Sequence, residues 1–98
     1  LDIAPAREGA AAGRVIHIDH FGNCTTNLLA ERLPPTVRMV QAGQHAIGRL
    51  RRAYADVNPG EPVALMGSSG LLEIAVNQGS AAQTLKLNVG SRVDLRMS

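Results

Sequence analysis

The sequence predicts an all-β fold, a barrel or sandwich of about seven short strands with one short helix. Three observations carry this. Short apolar or alternating runs recur at 14–19, 24–28, 37–42, 45–50, 62–66, 71–77 and 92–97, each bounded by Gly, Pro, Asn or Asp. No segment has the length of a crossover helix, so a parallel sheet is not expected. The 98 residues include no Trp, one Phe and one Tyr, so the core must be aliphatic. Phe21 and Tyr54 are therefore not needed as ballast, and each calls for its own explanation.

Residues 1–12, with Pro5, Gly9 and an Ala run, resemble an interdomain linker, and 13–98 the domain itself. In RVIHID, Arg14, Ile16 and Ile18 are expected opposite Val15, His17 and Asp19. His20-Phe21-Gly22-Asn23 breaks that strand. Cys24–Leu28 resumes it, and Leu28–Leu33 is expected to form a helical turn that Pro34-Pro35 ends. Val37–Ala42 and His45–Leu50 make two strands joined at Gly43-Gln44. Arg51–Val57 is a loop, and Asn58-Pro59-Gly60-Glu61 fits a type II turn. Pro62–Met66 is apolar enough for a central strand. Ser68-Ser69-Gly70 is a tight turn, followed by a strand with Leu72, Ile74 and Val76 on one face. Gly79 closes that strand, and Ser80 with Gln83 is a capping-box pair for the helix. Gly90 marks the last turn, before a strand that points Val93, Leu95 and Met97 inward.

Hydrophobic residues make up 45% and charged residues 18%, as in an ordinary folded domain. The net charge of +2 is scattered, and Arg51–Arg52 is the one adjacent basic pair. With two rings and no basic groove, single-strand nucleic-acid binding is not expected. Neither is a membrane partner, since no apolar run approaches roughly 20 residues. Cys24 is the single cysteine, so no intrachain disulfide is possible and a cytoplasmic location is the default.

Candidate binding groups concentrate in two places. Asp19-His20-Phe21-Gly22-Asn23 sets a carboxylate, a ring and an amide around a glycine, which suits either a ligand or a locally bonded turn. Ser68 and Ser69 offer hydroxyls and backbone N–H groups at a second turn. Tyr54 can stack on a flat heterocycle or merely anchor its loop. Glu73 is either a ligand contact or an outward strand position. His17 and His20 flank Asp19, but no further Cys or His stands at ligand spacing, so no metal site is read. No nucleophile-elbow motif surrounds Ser68 or Ser69.

IDHFGNCTTN, YADVNPGE and GSSGLLEIAVNQGSAA, in this order, resemble the C-terminal domain of the adenosine-forming S-adenosyl-L-methionine (SAM) hydrolase family. These proteins, the SAM hydroxide adenosyltransferases, are related to the SAM-dependent fluorinase and chlorinase. The resemblance implies that the domain is a small Greek-key β-barrel, and that the parent is a trimeric two-domain enzyme with SAM between one subunit's N-terminal α/β domain and a neighbour's C-terminal barrel. It gives Asp19 and Asn23 contacts to the methionine or nucleoside, Ser68 to the methionine carboxylate end and Tyr54 to the adenine face, with Phe21 and Ser69 also among the substrate-binding residues. Glu73 joins this set, and backbone at Val76 and Gln78 would meet the adenine edge. SAM is the substrate, adenosine and methionine the products, and no cofactor is implied. The residues that activate the nucleophile belong to the other domain, so this chain contributes no catalytic residue and is expected to be inactive alone. The halogenase-like members carry Arg at the positions of Ser69 and Val76 and an extra Pro in the Asp–Phe–Gly–Asn turn. Their absence here favours water over halide. A free-standing barrel that binds nucleic acid or a protein is the alternative of another class.

Overall fold

The computed structural model describes residues 12–30, 33 and 37–97. Its strands are β1 (Ala12–Ile18), β2 (Cys24–Leu29), β3 (Val37–Ala42), β4 (His45–Gly48), β5 (Leu50–Arg51), β6 (Pro62–Met66), β7 (Leu71–Val76) and β8 (Arg92–Met97). A 3-10 turn (Tyr54–Asp56) and a one-turn helix α1 (Ala81–Thr84) complete the described chain. The fold is all-β, as expected. The strands form one sheet in the order β4-β3-β8-β1-β2-β7-β6-β5. Its pairings are antiparallel except β5 with β6. β8 returns between β1 and β3, so sheet order departs from chain order, in keeping with Greek-key connectivity.

The two edges of the sheet belong to one stretch of chain. β4 and β5 are separated by Arg49 alone, next to Gly48 at φ +110°. That geometry suits glycine and splits the single expected strand at 45–50 in two, which accounts for eight strands rather than seven. The run hands over from one end of the sheet to the other and nearly closes the barrel.

The core is aliphatic. Val15, Leu28, Val40, Leu72, Ile74 and Val93 are buried in one cluster, and Val63, Leu65 and Ala75 in a second. Each such side chain contributes roughly 1.5–3 kcal/mol on burial, so the fold needs no ring, and Phe21 stands 74% exposed. Leu72, Ile74 and Val76 face inward and Val93 and Leu95 are buried, both as the alternation predicts.

Two strands differ from their expected pattern. In β1 the register shifts between Val15 and His17, so strict alternation fails. Val15 is buried, Arg14 and His17 are exposed, and Ile18 packs on the core. In β2, four residues from Thr25 to Leu29 span what β7 covers in two, Glu73 to Leu71. The buried Thr26 serves this bulge: its hydroxyl donates to Leu72 O at 2.8 Å and accepts from Leu28 N at 3.2 Å. The carbonyl of Asn27's side chain accepts from Arg14 N at 2.8 Å. The helical turn expected from Leu28 is delayed, because Leu29 is still strand and only Ala30 turns, its carbonyl accepting from Leu33 N at 3.2 Å. The linker at 1–11 and Pro34-Pro35 lie outside the described residues.

Candidate functional site

The Asp19–Asn23 turn is built by Asp19. Its Oδ1 accepts from the backbone N–H of Phe21 at 2.9 Å and of Asn23 at 3.0 Å, and its Oδ2 accepts from the Asn23 side-chain amide at 3.1 Å. Backbone bonds join Asp19 N to Asn23 O and Gly22 N to Asp19 O, each 3.0 Å. The locally bonded reading of this turn is therefore correct in part. An ionised carboxylate has about four acceptor positions, so three bonds leave room for one more donor. Gly22, at φ +86°, is packed so closely on Ser80 that an added Cβ would overlap the Ser80 hydroxyl. Its carbonyl accepts from Ala82 N at 3.0 Å. The turn is thereby docked onto the start of α1, whose N-cap Ser80 accepts from Gln83 N at 3.2 Å.

A second turn, Gly67–Gly70, joins β6 to β7. Gly67 N donates to Leu71 O at 2.9 Å and Gly70 N to Gly67 O at 3.0 Å, with Gly70 at φ +84°. Ser68 and Ser69 stand exposed at its tip. Asn23 adjoins the Cys24↔Ile74 pair, whereas Ser68 lies beyond the Leu29↔Leu71 pair. At about 3.3 Å per residue, the two turns sit roughly 10 Å or more apart along β7.

Glu73 lies between them. It pairs with Thr25 on one side and Leu65 on the other, so the three share the outer face of the barrel. Its Oε2 stands 3.3 Å from where a Cβ on Gly67 would be, so the side chain leans back over the Gly67–Gly70 turn. Tyr54, on the 3-10 turn, is near enough for the two groups to shift each other's titration. That 3-10 turn is held by Asp56 Oδ2, which accepts from Arg52 N at 3.0 Å and Ala53 N at 3.1 Å. Asp19, Tyr54 and Glu73 are thus brought into mutual electrostatic range.

Their titration reflects it. Burial pushes Asp19 up, but the hydrogen bonds from Asn23 and Phe21 outweigh it and hold the carboxyl below its ordinary value. Burial and the Asp19 charge push Glu73 up, opposed by hydrogen bonding from Tyr54. Tyr54 is raised by burial, then by the Glu73 and Asp19 charges. Burial, with the same two carboxylates, pushes the Cys24 thiol up to about 11.

Val76 and Gln78 fall next to the Asp19–Asn23 turn rather than to Ser68. Val76 is buried, 4% exposed with its backbone included, and its carbonyl already accepts from Gly79 N at 3.1 Å. Gln78 is exposed at φ +59°. Glu73 and Val76 thus lie on β7, Ser68 and Ser69 in the turn before it, Gln78 just after it, and Asp19, Phe21 and Asn23 in the turn that leads into its neighbour β2. Two grooves of about 290 and 320 Å³, lined by 43–45, 85–87 and 91 and by 46, 47, 51, 56–58, 61 and 62, include none of them. Sequence reasoning missed Thr25 and Gly67, the partners that fix Glu73, because only the strand register reveals them.

Residues 13–94 match the family model described as the SAM hydroxide adenosyltransferase C-terminal domain. The chain belongs to that family. Among curated relatives similar to it, an (R)-S-adenosyl-L-methionine hydrolase from Thermus thermophilus is 43% identical over 83 residues, 85% of this chain and 31% of the relative. Enzymes of the same name from Salinispora tropica and Salinispora arenicola are 32% and 34% identical, each over 93% of this chain and 34% of theirs. A crystal structure of a conserved hypothetical protein from Thermus thermophilus aligns at TM-score 0.84 and 42% identity, covering 98% of this chain and 38% of that one. An uncharacterized conserved protein from Thermotoga maritima aligns at 0.78 and 31%, covering 98% and 40%. The SAM hydroxide adenosyltransferase domain in this chain thus spans about a third of the length of its curated relatives. Among its described residues no helix is long and apolar enough to cross a membrane.

Proposed function

We propose that this chain is the SAM-binding C-terminal domain of an enzyme that converts SAM and water to adenosine and methionine. The observation that carries the reading is the grouping of candidate residues on and beside β7, with Ser68-Ser69 in the turn before it and Asp19, held below its ordinary value, with Asn23 in the turn that leads into its neighbour β2. It is supported by relatives named (R)-S-adenosyl-L-methionine hydrolase. In this reading Asp19 takes the methionine ammonium with its remaining acceptor position, and Asn23 binds beside it. Ser68 and Ser69 donate to the methionine carboxylate, Tyr54 covers the adenine, and backbone at Val76 and Gln78 meets the adenine edge.

The reaction is an in-line displacement at the ribose C5′. Water's oxygen forms the new bond, the C5′–S bond breaks, and the pair returns to sulfur, turning a sulfonium into a neutral thioether. This domain orients the substrate and excludes bulk water from one side. The groups that activate water belong to the N-terminal domain of a neighbouring subunit in a homotrimer, in the cytoplasm. The nine residues include no Arg for a halide enzyme's pattern, and water is the nucleophile.

In the full-length enzyme, Asn23→Ala and Ser68→Ala each weaken SAM binding by about 1–3 kcal/mol, the cost of a lost buried hydrogen bond. Unchanged affinity in both variants refutes the site. The isolated 98-residue chain binds adenosine weakly at most and does not hydrolyse SAM, because it offers half of a shared pocket. Sustained turnover by that chain would contradict the proposal.

A further inference from the structure

We infer that the one-turn helix α1 is a positioning element, which holds the Asp19–Asn23 turn at a fixed place beside β7 through the contacts of Gly22 with Ser80 and Ala82. What that positioning serves rests on the SAM reading above. Asp19 shapes the turn but does not place it. The bonds it accepts from Phe21 N, Asn23 N and the Asn23 amide lie within the turn, as do the backbone bonds between Asp19 and Asn23 and between Gly22 and Asp19. The edge-to-face contact of His20 with Phe21, ring centroids 5.5 Å apart, lies within it too, and both residues are exposed. Gly22 is the residue that reaches out. It is buried, and its carbonyl accepts from Ala82 N at 3.0 Å and from the Cys24 thiol at 3.6 Å. It also stands too close to Ser80 to carry a side chain.

The N–H groups at the start of a helix have no partner inside it. In α1 the Ser80 hydroxyl takes Gln83 N, and the Gly22 carbonyl takes Ala82 N. The helix is itself fixed, because Ala81 and Leu85 are buried in the core cluster. Ser80 follows Gln78 by two residues, so one short segment carries Gln78 and abuts the turn that carries Asp19 and Asn23. In the SAM reading, α1 thereby sets the spacing between the groups that meet the ammonium and the backbone that meets the adenine edge.

Ala82→Pro removes the N–H at a place in the first helical turn where proline is tolerated. Ala82→Gly weakens the helix but keeps the N–H, and is the matched control. In the full-length enzyme Ala82→Pro raises KM for SAM roughly three- to tenfold with kcat unchanged, while Ala82→Gly leaves KM near wild type. An equal rise in both variants would mark α1 as merely structural, and a wild-type KM in Ala82→Pro would leave it no role; either result overturns the inference. If Ala82→Pro fails to fold, Gly22→Ala presses the turn off Ser80 from the other side, and adding Ser80→Gly gives back the clearance. KM then rises in the single variant and falls again in the double, and a double variant no better than the single overturns the inference. Cys24, the one cysteine, is buried with its thiol on the Gly22 carbonyl, so its reactivity reads the turn without substrate. In the 98-residue chain, Ala82→Pro reacts with Ellman's reagent faster than Ala82→Gly, both with native circular dichroism. Equal rates overturn the docking. Absence of SAM turnover in the wild-type enzyme refutes the SAM reading, while the thiol rates still decide whether α1 holds the turn.

Discussion

Gly22→Ala should destabilise the domain by about 2–3 kcal/mol, and the size can be built from two separate costs. Alanine at φ +86° carries about 1–2 kcal/mol of backbone strain. Its Cβ would overlap the Ser80 hydroxyl and come within 2.7 Å of Ser80 Cβ, so Ser80 has to move. That breaks the N-cap bond to Gln83 N, a loss of about 1 kcal/mol. Against a total stability of about 5–15 kcal/mol, and a urea dependence of about 1 kcal/mol per molar for a small domain, the midpoint falls by roughly 2 M. Urea unfolding followed by circular dichroism measures it. The decisive control is Ser80→Gly, which as an N-cap change costs only a few tenths. In the double variant the steric cost disappears and the backbone cost remains, so the two effects are not additive. Strict additivity, or a single-variant loss under about 0.5 kcal/mol, would show that the Asp19–Asn23 turn is not docked on α1 as described.

Further outcomes are expected. Thr26→Val keeps the shape but leaves Leu72 O and Leu28 N without the hydroxyl, and should cost about 2–4 kcal/mol in the same unfolding assay. The Cys24 thiol, raised from 9.0 to about 11, should resist Ellman's reagent in native protein at pH 8 and react freely in denaturant. Because its folded value lies above its unfolded one, the unfolded chain loses the proton first. Stability therefore declines as pH rises from about 9 toward 11, a slope that Cys24→Ser should reduce. Asp19 has the opposite sign: its folded value is depressed below 3.8, so its contribution is present above that value and lost as pH falls through the folded one. Acid unfolding of Asp19→Asn should show a shallower low-pH limb. In the full-length enzyme Tyr54→Ala should weaken SAM binding more than Tyr54→Phe, since the ring face does the covering; equal losses would place the effect in the hydroxyl.

The parts of the fold legible in advance are those governed by short-range patterning. β6, β7 and β8 fall where apolar alternation and bounding glycines put them, and Phe21 is exposed because an aliphatic core has no need of it. β1 departs from its expected pattern because its register shift between Val15 and His17 comes from the partner strand, which periodicity cannot see. β2 hides its bulge for the same reason: Thr26 and Asn27 look like surface residues, yet their polar atoms satisfy backbone groups freed there. Of the candidate site, the Asp19 turn is readable because its bonds span four residues or fewer. The placement of Glu73 between Thr25 and Leu65 and beside Gly67 depends on pairing across strands, information that no local window holds.

The handover at Arg49 has a mechanical result. Leu50 and Arg51 form the sheet's one parallel pairing, with Ala64 and Leu65, and two residues make a short latch. A barrel fastened so briefly opens there before anywhere along the longer antiparallel ladders, and the Tyr54 turn begins three residues beyond the latch. Loosening of the seam would therefore reach the Tyr54 turn first, so the tightness of one small clasp governs how firmly that turn is held against the barrel.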